Sequence, residues 1–314
     1  MEYLWLVVGF VLLIKGADFF VDGASSIAAK LKVPSLIIGL TVVSIGTSLP
    51  EAAVSISSSL SGSNDISLGN VIGSNLFNLL VVVGVSSVIL PIITDRDILR
   101  RDMPVNIVAT VILFVMLLDG TLGRLEAAIL LVLLAIYMFI LIRSALKNRT
   151  QEEEETKVLS WTTSLIFVVA GAAAIIFGGD MVVDNAKIIA LKLGMGETLV
   201  GLTIVAIGTS LPELVTSIIA ARKGDSGIAM GNVVGSCIFN IFFILGMSGV
   251  ISPLKAGGSA FFIDTGILIG VNLLMLLFAY TKKKTGRLEG ATSTVLYILY
   301  TAYIIMRTFH IWIF

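Results

Sequence analysis

The chain consists mainly of long apolar runs separated by short polar stretches. The runs cover residues 3–22, 35–60, 66–91, 104–119, 124–146, 160–183, 197–221, 227–252, 260–280 and 289–309. A helix needs about 20 residues to cross a hydrocarbon core of about 30 Å, so the pattern predicts ten transmembrane helices. A closed β-barrel would instead show short segments of alternating polarity. The first run lacks a basic start and a good cleavage site, so we interpret it as a helix and not as a signal peptide.

Composition supports an integral membrane protein. Hydrophobic residues make up 57% of the 314 residues, charged residues make up 13%, and the mean hydropathy is +1.04. Ordinary soluble domains are less apolar and more charged. One cysteine (Cys237) and one histidine (His310) exclude a disulfide framework or a Cys/His metal cluster within one chain.

The basic residues predict the orientation in a cell membrane. With ten spans, fifteen Lys and Arg residues fall on the side reached after the first helix, and five fall on the opposite side. Because basic residues concentrate in cytoplasmic loops, both termini are expected to be extracellular.

The sequence repeats itself at an offset of 162 residues. "GADFFVDGASSIAAKLKVPSLIIGLTVVSIGTSLPE" (16–51) aligns without gaps with residues 178–213, and "GNVIGSNLFN" (69–78) aligns with "GNVVGSCIFN" (231–240). Each half contains five predicted helices, and an odd number inserts the second copy upside down. We therefore predict an all-α membrane protein of two inverted five-helix repeats, an architecture of secondary transporters.

The predicted boundaries are a first repeat at 1–146, a cytoplasmic acidic linker at 147–159 and a second repeat at 160–314. The acidic run "EEEE" in the linker could form a regulatory Ca²⁺ patch, but a solvated connector is the favoured interpretation.

The motif "GTSLPE" occurs at 46–51 and again at 208–213. Its proline, Pro50 or Pro212, cannot donate to the carbonyl four residues earlier and so predicts a broken helix. Irregular backbone at membrane depth is tolerated where it lines a cavity in the protein. Its glutamate, Glu51 or Glu213, would cost at least about 2.5–3.5 kcal/mol in the bilayer, which indicates a functional group. Lys15 is the only base well inside an apolar run, and it could neutralise one glutamate at most.

Hydroxyl and amide side chains accompany the two glutamates. The candidates are Thr47, Ser48, Ser74 and Asn78 in the first half, and Thr209, Ser210, Ser236 and Asn240 in the second. Spacings of three or four residues would place Thr47 and Ser48 on the face of Glu51 if the helix continues. Any single hydroxyl could instead bond back to its own helix, and the motif glycines fit ordinary helix packing. Two matching sets favour a common site.

An all-oxygen site of this kind suits a hard cation. Ca²⁺ accepts six to eight oxygen ligands in flexible geometry, whereas Mg²⁺ requires a tight octahedron. Two glutamates balance one Ca²⁺ or two Na⁺, and a third Na⁺ would need neutral oxygens such as those of Asn78 and Asn240. A site that accepts either ion but tolerates emptiness poorly is the physical basis of obligatory exchange.

The paired motifs "GTSLPE…GNVIGSNLFN" and "GTSLPE…GNVVGSCIFN" resemble the sodium/calcium exchanger branch of the calcium/cation antiporter superfamily. The resemblance implies one Ca²⁺ site and several Na⁺ sites at the membrane midplane. It implies the same side-chain ligands and adds the backbone carbonyls of Ser44 and Ala206. Potassium-dependent relatives carry an acid at the position of Asn240, as do some potassium-independent microbial members, so the asparagine favours exchange without K⁺. The linker is too short for the regulatory domain of eukaryotic relatives.

The resemblance also implies that the first and sixth helices form a sliding gate. These helices carry Asp18, Asp22, Asp180 and Asp184 in matching positions. The four acids could capture cations or contact the gate, but simple solvation at the membrane interface is an equal alternative.

The sequence therefore predicts an electrogenic Na⁺/Ca²⁺ antiporter that works by alternating access. We expect the two ions and the lipid bilayer as partners, with no cofactor, no nucleic acid and no obligate protein partner. A Ca²⁺/H⁺ antiporter is the main alternative, because glutamates in a low-dielectric site take up protons readily. An intramembrane enzyme is disfavoured because the lone His310, near the C-terminal edge, offers no general base beside a serine, and because glutamates surrounded by Ser and Thr are typical ion ligands. Broken helices in inverted repeats disfavour a passive channel.

Overall fold

The computed structural model describes residues 1–62, 64–147, 158–196, 204, 206–256 and 259–309. The predicted linker 147–159 and the predicted span 197–221 fall partly outside these residues. In the first half, the helices are α1 (Glu2–Leu31), α2 (Ser35–Thr47), α3 (Leu49–Leu60), α4 (64–89), α5 (98–116) and α6 (Arg124–Lys147). In the second half, they are α7 (Trp161–Lys192), α8 (Ala206–Gly208), α9 (Leu211–Arg222), α10 (Ser226–Ile251), α11 (Ser259–Lys282) and α12 (Arg287–Thr308).

Most of the described chain is helical and suited to a membrane. Seven described helices are long and apolar enough to cross a bilayer, and the bent pair α2–α3 makes eight if it counts as one span. The other two predicted spans, 104–119 and 197–221, correspond to α5 and to α8 with α9.

Two helices extend well beyond their predicted ends. α1 was expected to end at 22 and continues to Leu31, and α7 was expected to end at 183 and continues to Lys192. Thirty helical residues measure about 45 Å, which exceeds the hydrocarbon thickness and requires tilt or protrusion. The end of α1 is set by a left-handed cap at Lys32 (φ 55°), whose backbone N–H donates to Ala28 O, and not by loss of hydropathy.

α1 and α7 pack closely and antiparallel through glycines. A Cβ at Gly16 would lie 2.9 Å from the carbonyl oxygen of Gly171, and one at Gly178 would lie 2.8 Å from that of Gly9. Side chains do not approach so closely, so the missing Cβ atoms allow the two backbones to come together. The earlier residue of α1 contacts the later residue of α7, which shows the antiparallel direction.

Two short ribbons add β-structure that hydropathy did not predict. β1 (Ile92–Ile93) pairs antiparallel with β4 (Lys284–Thr285), and β2 (Thr121–Leu122) pairs antiparallel with β3 (Leu254–Lys255). Each ribbon joins a loop of one half to a loop of the other. The fold class is therefore helical with two small ribbons, and not strictly all-α.

The centre of the molecule is formed by α4 and α10. Of the 18-residue apolar stretch in each helix, 72% of the residues are buried in α4 and 78% in α10, against 11% in α12. One apolar cluster surrounds α4 and α10 and includes Leu76 and Val233. A second cluster joins α1, α7 and α9 through Phe20, Ile175 and Ala220.

Candidate cation-binding site

The "GTSLPE" motifs form two helix breaks. α2 ends at Thr47 and α3 begins at Leu49, with a bend of 49° between them. In the second half, α8 ends at Gly208 and α9 begins at Leu211. Each proline lies in the first turn of the new helix, where its missing N–H is tolerated. Glu51 and Glu213 also lie in these first turns, where the helix dipole favours a carboxylate.

The two breaks are joined by reciprocal hydrogen bonds. Ser48 Oγ donates to Glu213 Oε1 at 2.8 Å, and Ser210 Oγ donates to Glu51 Oε1 at 3.0 Å. All four side chains are completely buried. The sequence spacing predicted that Ser48 would face Glu51, which is wrong, because the bend at Ser48 directs its hydroxyl toward the other half.

Both central helices widen at a candidate ligand. A π-helical segment begins at Asn78 and runs to Val82, and another begins at Asn240 and runs to Leu245. π-Helical turns are rare and frequently occur at functional sites. The hydropathy pattern contains no signal for this widening.

Several buried oxygen atoms around the breaks have no hydrogen-bond partner in the described structure. They are Glu51 Oε2, Glu213 Oε2, Ser74 Oγ, Thr209 Oγ1, Asn78 Oδ1 and Asn240 Oδ1. Buried polar atoms are normally paired, and each unpaired one costs about 1–3 kcal/mol. A cation would satisfy several of these acceptors at once.

The charge of the two glutamates is not neutralised by nearby bases. Among the described residues, every salt bridge involves other carboxylates, and none joins Lys or Arg to Glu51 or Glu213. Lys15, the one base that the sequence offered as a neutralising partner, forms no such bridge. Two buried carboxylates with open oxygens therefore favour cation binding over a structural ion pair.

The remaining predicted oxygens lie beside the first break. Ser236 Oγ lies 3.5 Å from both Glu213 Oε1 and Ser44 O. Thr47 Oγ1 contacts Ser44 O at 3.3 Å. Ser44 O also accepts the N–H of Ser48 at 3.0 Å, so a cation at this carbonyl would have to replace one of the two hydroxyl contacts.

The second break has a different backbone arrangement. Ala206 is the first residue of α8, and the N–H of Ser210 donates to Ile207 O at 3.2 Å. In the first half, the N–H of Ser48 reaches four residues back, to Ser44. The two breaks therefore share their side-chain bonds and differ in the backbone hydrogen bond that the serine N–H donates.

Sequence reasoning missed two asparagines that brace the glutamates. Asn70 Nδ2 donates to the backbone oxygen of Glu51 at 3.1 Å and to Ser55 Oγ at 2.9 Å. Asn232 makes the equivalent bonds to Glu213 O, at 3.3 Å, and to Ser217 Oγ. These bonds join α4 to α3 and α10 to α9. The sequence signal that could have identified the two asparagines is their shared position in "GNV" of both motifs.

Comparison with known proteins identifies the family. The family model described as "Sodium/calcium exchanger protein" matches residues 1–143 and 163–306. The chain belongs to the sodium/calcium exchanger family. It is 36% identical over 347 residues to the sodium/calcium exchanger MaX1 of Methanosarcina acetivorans, covering 97% of this chain and 98% of MaX1. It is 35% identical over 307 residues to the inner membrane protein YrbG of Escherichia coli, covering 95% and 94% of the two chains.

Solved structures support the same family. The sodium-calcium exchanger NCX_Mj, in a crystal soaked with Na⁺ and Ca²⁺, superposes on this exchanger with a TM-score of 0.84 and 34% identity. The match covers 96% of this chain and 97% of NCX_Mj. The expectations of a multi-pass membrane protein, of a transporter rather than an enzyme, and of transport without a cofactor are thereby confirmed at the level of the family.

The acids of the predicted gate helices have different partners in this exchanger. Lys223, just after α9, places its Nζ 2.6 Å from Asp18 Oδ1 and 2.6 Å from Asp22 Oδ1 on α1. Within the described residues, no salt bridge involves Asp180 or Asp184 on α7. Asp18 and Asp22 are therefore tied to the end of α9 by one lysine, whereas Asp180 and Asp184 have no equivalent ion pair among the described residues.

Proposed function

We propose that this exchanger moves Na⁺ and Ca²⁺ in opposite directions through the site at the two helix breaks. The observation that carries the proposal is the set of buried oxygens without partners around Glu51 and Glu213. Such a set is unfavourable when empty and is satisfied by a cation. The relatives named as sodium/calcium exchangers support the choice of ions.

The ligand set that we propose is the one expected from the sequence. Glu51 and Glu213 supply the charge, and hydroxyl, amide and backbone oxygens complete the coordination. These donors are Thr47, Ser48, Ser74, Asn78, Thr209, Ser210, Ser236 and Asn240, with the carbonyl oxygens of Ser44 and Ala206. One Ca²⁺ or two Na⁺ would neutralise the two carboxylates.

We further propose ten helices in two inverted repeats, at 1–146 and 160–314, joined by a cytoplasmic linker at 147–159. The antiparallel packing of α1 against α7 supports inversion, because matching helices of inverted repeats run in opposite directions. The reciprocal hydrogen bonds across the breaks also support it. The distribution of basic residues supports an extracellular position for both termini.

Exchange is proposed to be independent of K⁺ and electrogenic. Residue 240 is a neutral asparagine, so the centre offers two carboxylates and no third charge. A third Na⁺ bound by neutral oxygens would make the transport of three Na⁺ for one Ca²⁺ carry net charge.

Ca²⁺ flux in reconstituted vesicles tests the function. With Na⁺, K⁺ and pH gradients varied one at a time, Ca²⁺ uptake should follow internal Na⁺ and ignore K⁺. Replacement of Na⁺ by choline should stop uptake. Uptake that continues in choline and follows the pH gradient would instead establish the Ca²⁺/H⁺ alternative.

A further inference from the structure

Two equivalent positions of the repeats, 75 and 237, carry different residues and lie next to the proposed site. Position 75 is asparagine and position 237, 162 residues later, is cysteine. The two residues meet each other across the centre: Asn75 Nδ2 donates to Cys237 O at 3.1 Å, and Cys237 Sγ lies 3.9 Å from Asn75 O. Both side chains are at least 99% buried.

This contact fixes the orientation of two amides in succession. A backbone carbonyl can only accept, so the NH₂ group of Asn75 must face Cys237 O. The oxygen of Asn75 then faces Asn240, which must donate through its own NH₂ group, and Asn240 Nδ2 lies 3.0 Å from Asn75 Oδ1. Asn240 Oδ1 is left as the open acceptor, and it has no partner in the described structure.

The equivalent asparagine of the first half has no such restraint. Both Oδ1 and Nδ2 of Asn78 are buried and without a partner in the described structure. Cys237 occupies the position from which an asparagine could hold Asn78, and its thiol is too weak a donor and acceptor for that role. The described structure therefore fixes the amide orientation of Asn240 by a hydrogen bond and gives the amide of Asn78 no such bond.

We propose that Asn75 is a positioning residue that presents the side-chain oxygen of Asn240 to Na⁺. This inference rests on the proposed function, in which neutral oxygens serve the Na⁺ that the two carboxylates do not neutralise. An amide turned the other way would point N–H groups at the cation and repel it. A ligand fixed before binding loses less freedom when the ion arrives. Ca²⁺, which both carboxylates neutralise, depends less on this oxygen.

The test is Asn75→Cys, which places in the first half the residue that the second half already accommodates. In purified protein and in vesicles, the half-saturating Na⁺ concentration should rise about two- to tenfold, as expected for one hydrogen-bond-sized interaction. The steepness of the Na⁺ dependence should fall, and the half-saturating Ca²⁺ concentration should change less. Unchanged Na⁺ dependence, or an equal change for both ions, would overturn the inference.

Tyr137→Phe is the matched control for loss of a buried hydrogen bond. Tyr137 donates its Oη to Asp102 Oδ1 at 3.0 Å, the same length as the bond between Asn240 and Asn75. This variant should lower the melting temperature without changing the ratio of Na⁺ to Ca²⁺ affinity. If Tyr137→Phe changes that ratio as much as Asn75→Cys does, general destabilisation of the protein explains the effect of both variants.

A double variant, Asn75→Cys with Cys237→Asn, tests the orientation directly. It moves the asparagine to the other half, where it should hold Asn78 and restore the steep Na⁺ dependence. If the double variant behaves like Asn75→Cys alone, the fixed-amide explanation is wrong. If Asn75→Cys does not fold, Asn75→Ser makes the same test with a smaller side chain.

Two further variants separate failure of this inference from failure of the proposed function. Glu51→Gln and Glu213→Gln should abolish Na⁺-driven Ca²⁺ uptake if the proposed site is correct. Uptake that survives both changes would refute the site itself. Loss of uptake in the glutamate variants together with wild-type Na⁺ dependence in Asn75→Cys would refute only the role of Asn75.

Discussion

The two halves of this exchanger agree at the helix breaks and differ toward the helix ends. At the breaks, each serine bonds the glutamate of the other half, at 2.8 and 3.0 Å. Away from the breaks, Lys223 holds two acids of α1, whereas the equivalent position in the first half is Ser61, which only bonds back to its own helix. We infer from this comparison that binding at the two glutamates depends on matching serine bonds from both halves, whereas access to the site does not depend on matching contacts.

An ion pair near the helix ends shows how far the halves can diverge. Asp102 and Asp264 are equivalent, and both are paired with arginine. In the first half the partner is Arg101, the neighbouring residue, whereas in the second half it is Arg307 from α12. The acid is retained while the base comes from a different helix, so these positions require a neutralised carboxylate and not a particular pair.

The largest effect is expected when a glutamate is replaced, and replacement in either half should reduce Ca²⁺ uptake equally. Glu51→Gln and Glu213→Gln each remove half of the charge that balances Ca²⁺, so vesicle uptake should fall to background in both. Without ions, each variant should melt at the wild-type temperature or higher, since a buried uncompensated charge is lost. A variant that keeps substantial uptake would show that its half does not contribute charge to the site.

Smaller and equal effects are expected for the two serines. Ser48→Ala and Ser210→Ala each remove a hydrogen bond to a carboxylate, an interaction of about 1.5–3 kcal/mol, so Ca²⁺ affinity should fall about tenfold or more. The two losses should agree within about threefold, because both serines are completely buried and their bonds to the glutamates have similar lengths, 2.8 and 3.0 Å. Calorimetric titration of each variant measures this, and one silent serine would break the proposed symmetry.

The spans, the breaks and the two glutamates could be predicted from the sequence for clear physical reasons. Long apolar runs report transmembrane helices, and a proline beside a buried acid reports a break in a polar cavity. The offset of 162 residues then related the halves to each other. Each of these signals is carried by a short stretch of sequence, and the repeat is the same short stretch found twice.

The partners of the site residues could not be predicted in the same way. Ser48 bonds Glu213, 165 residues away, and Asn240 bonds Asn75 at the same separation. Such pairs depend on how distant helices pack, which hydropathy does not record. The π-helical turns at Asn78 and Asn240 likewise depend on tertiary packing, since their sequences are compatible with an ordinary helix.

The smallest effect is expected where Lys223 contacts α1. The side chains of Lys223, Asp18 and Asp22 are 29%, 38% and 48% exposed, and pairs of this kind contribute about 0.2–1 kcal/mol. Lys223→Met removes both pairs, so at about 0.5 kcal/mol each it should release this end of α1 by about fivefold in opening equilibrium. Faster amide hydrogen exchange after residue 18 would show the release. Lys282→Met, which removes an exposed pair with Glu289 between α11 and α12, should leave that exchange unchanged.

Ser61→Lys sharpens the comparison by giving the first half the same contact. By the symmetry of the repeats, a lysine at 61 should reach Asp180 and Asp184 on α7, which lack a salt bridge in the described structure. Amide hydrogen exchange in the second part of α7 should then slow. In the double variant with Lys223→Met, slow amide exchange should move from α1 to α7. Because the substituted residues lie outside the proposed ion site, the Ca²⁺ affinity should stay constant. Only the rate of Ca²⁺ uptake should change. If affinity falls as well, the helix ends and the binding site are coupled, and the separation of symmetric coordination from asymmetric access is wrong.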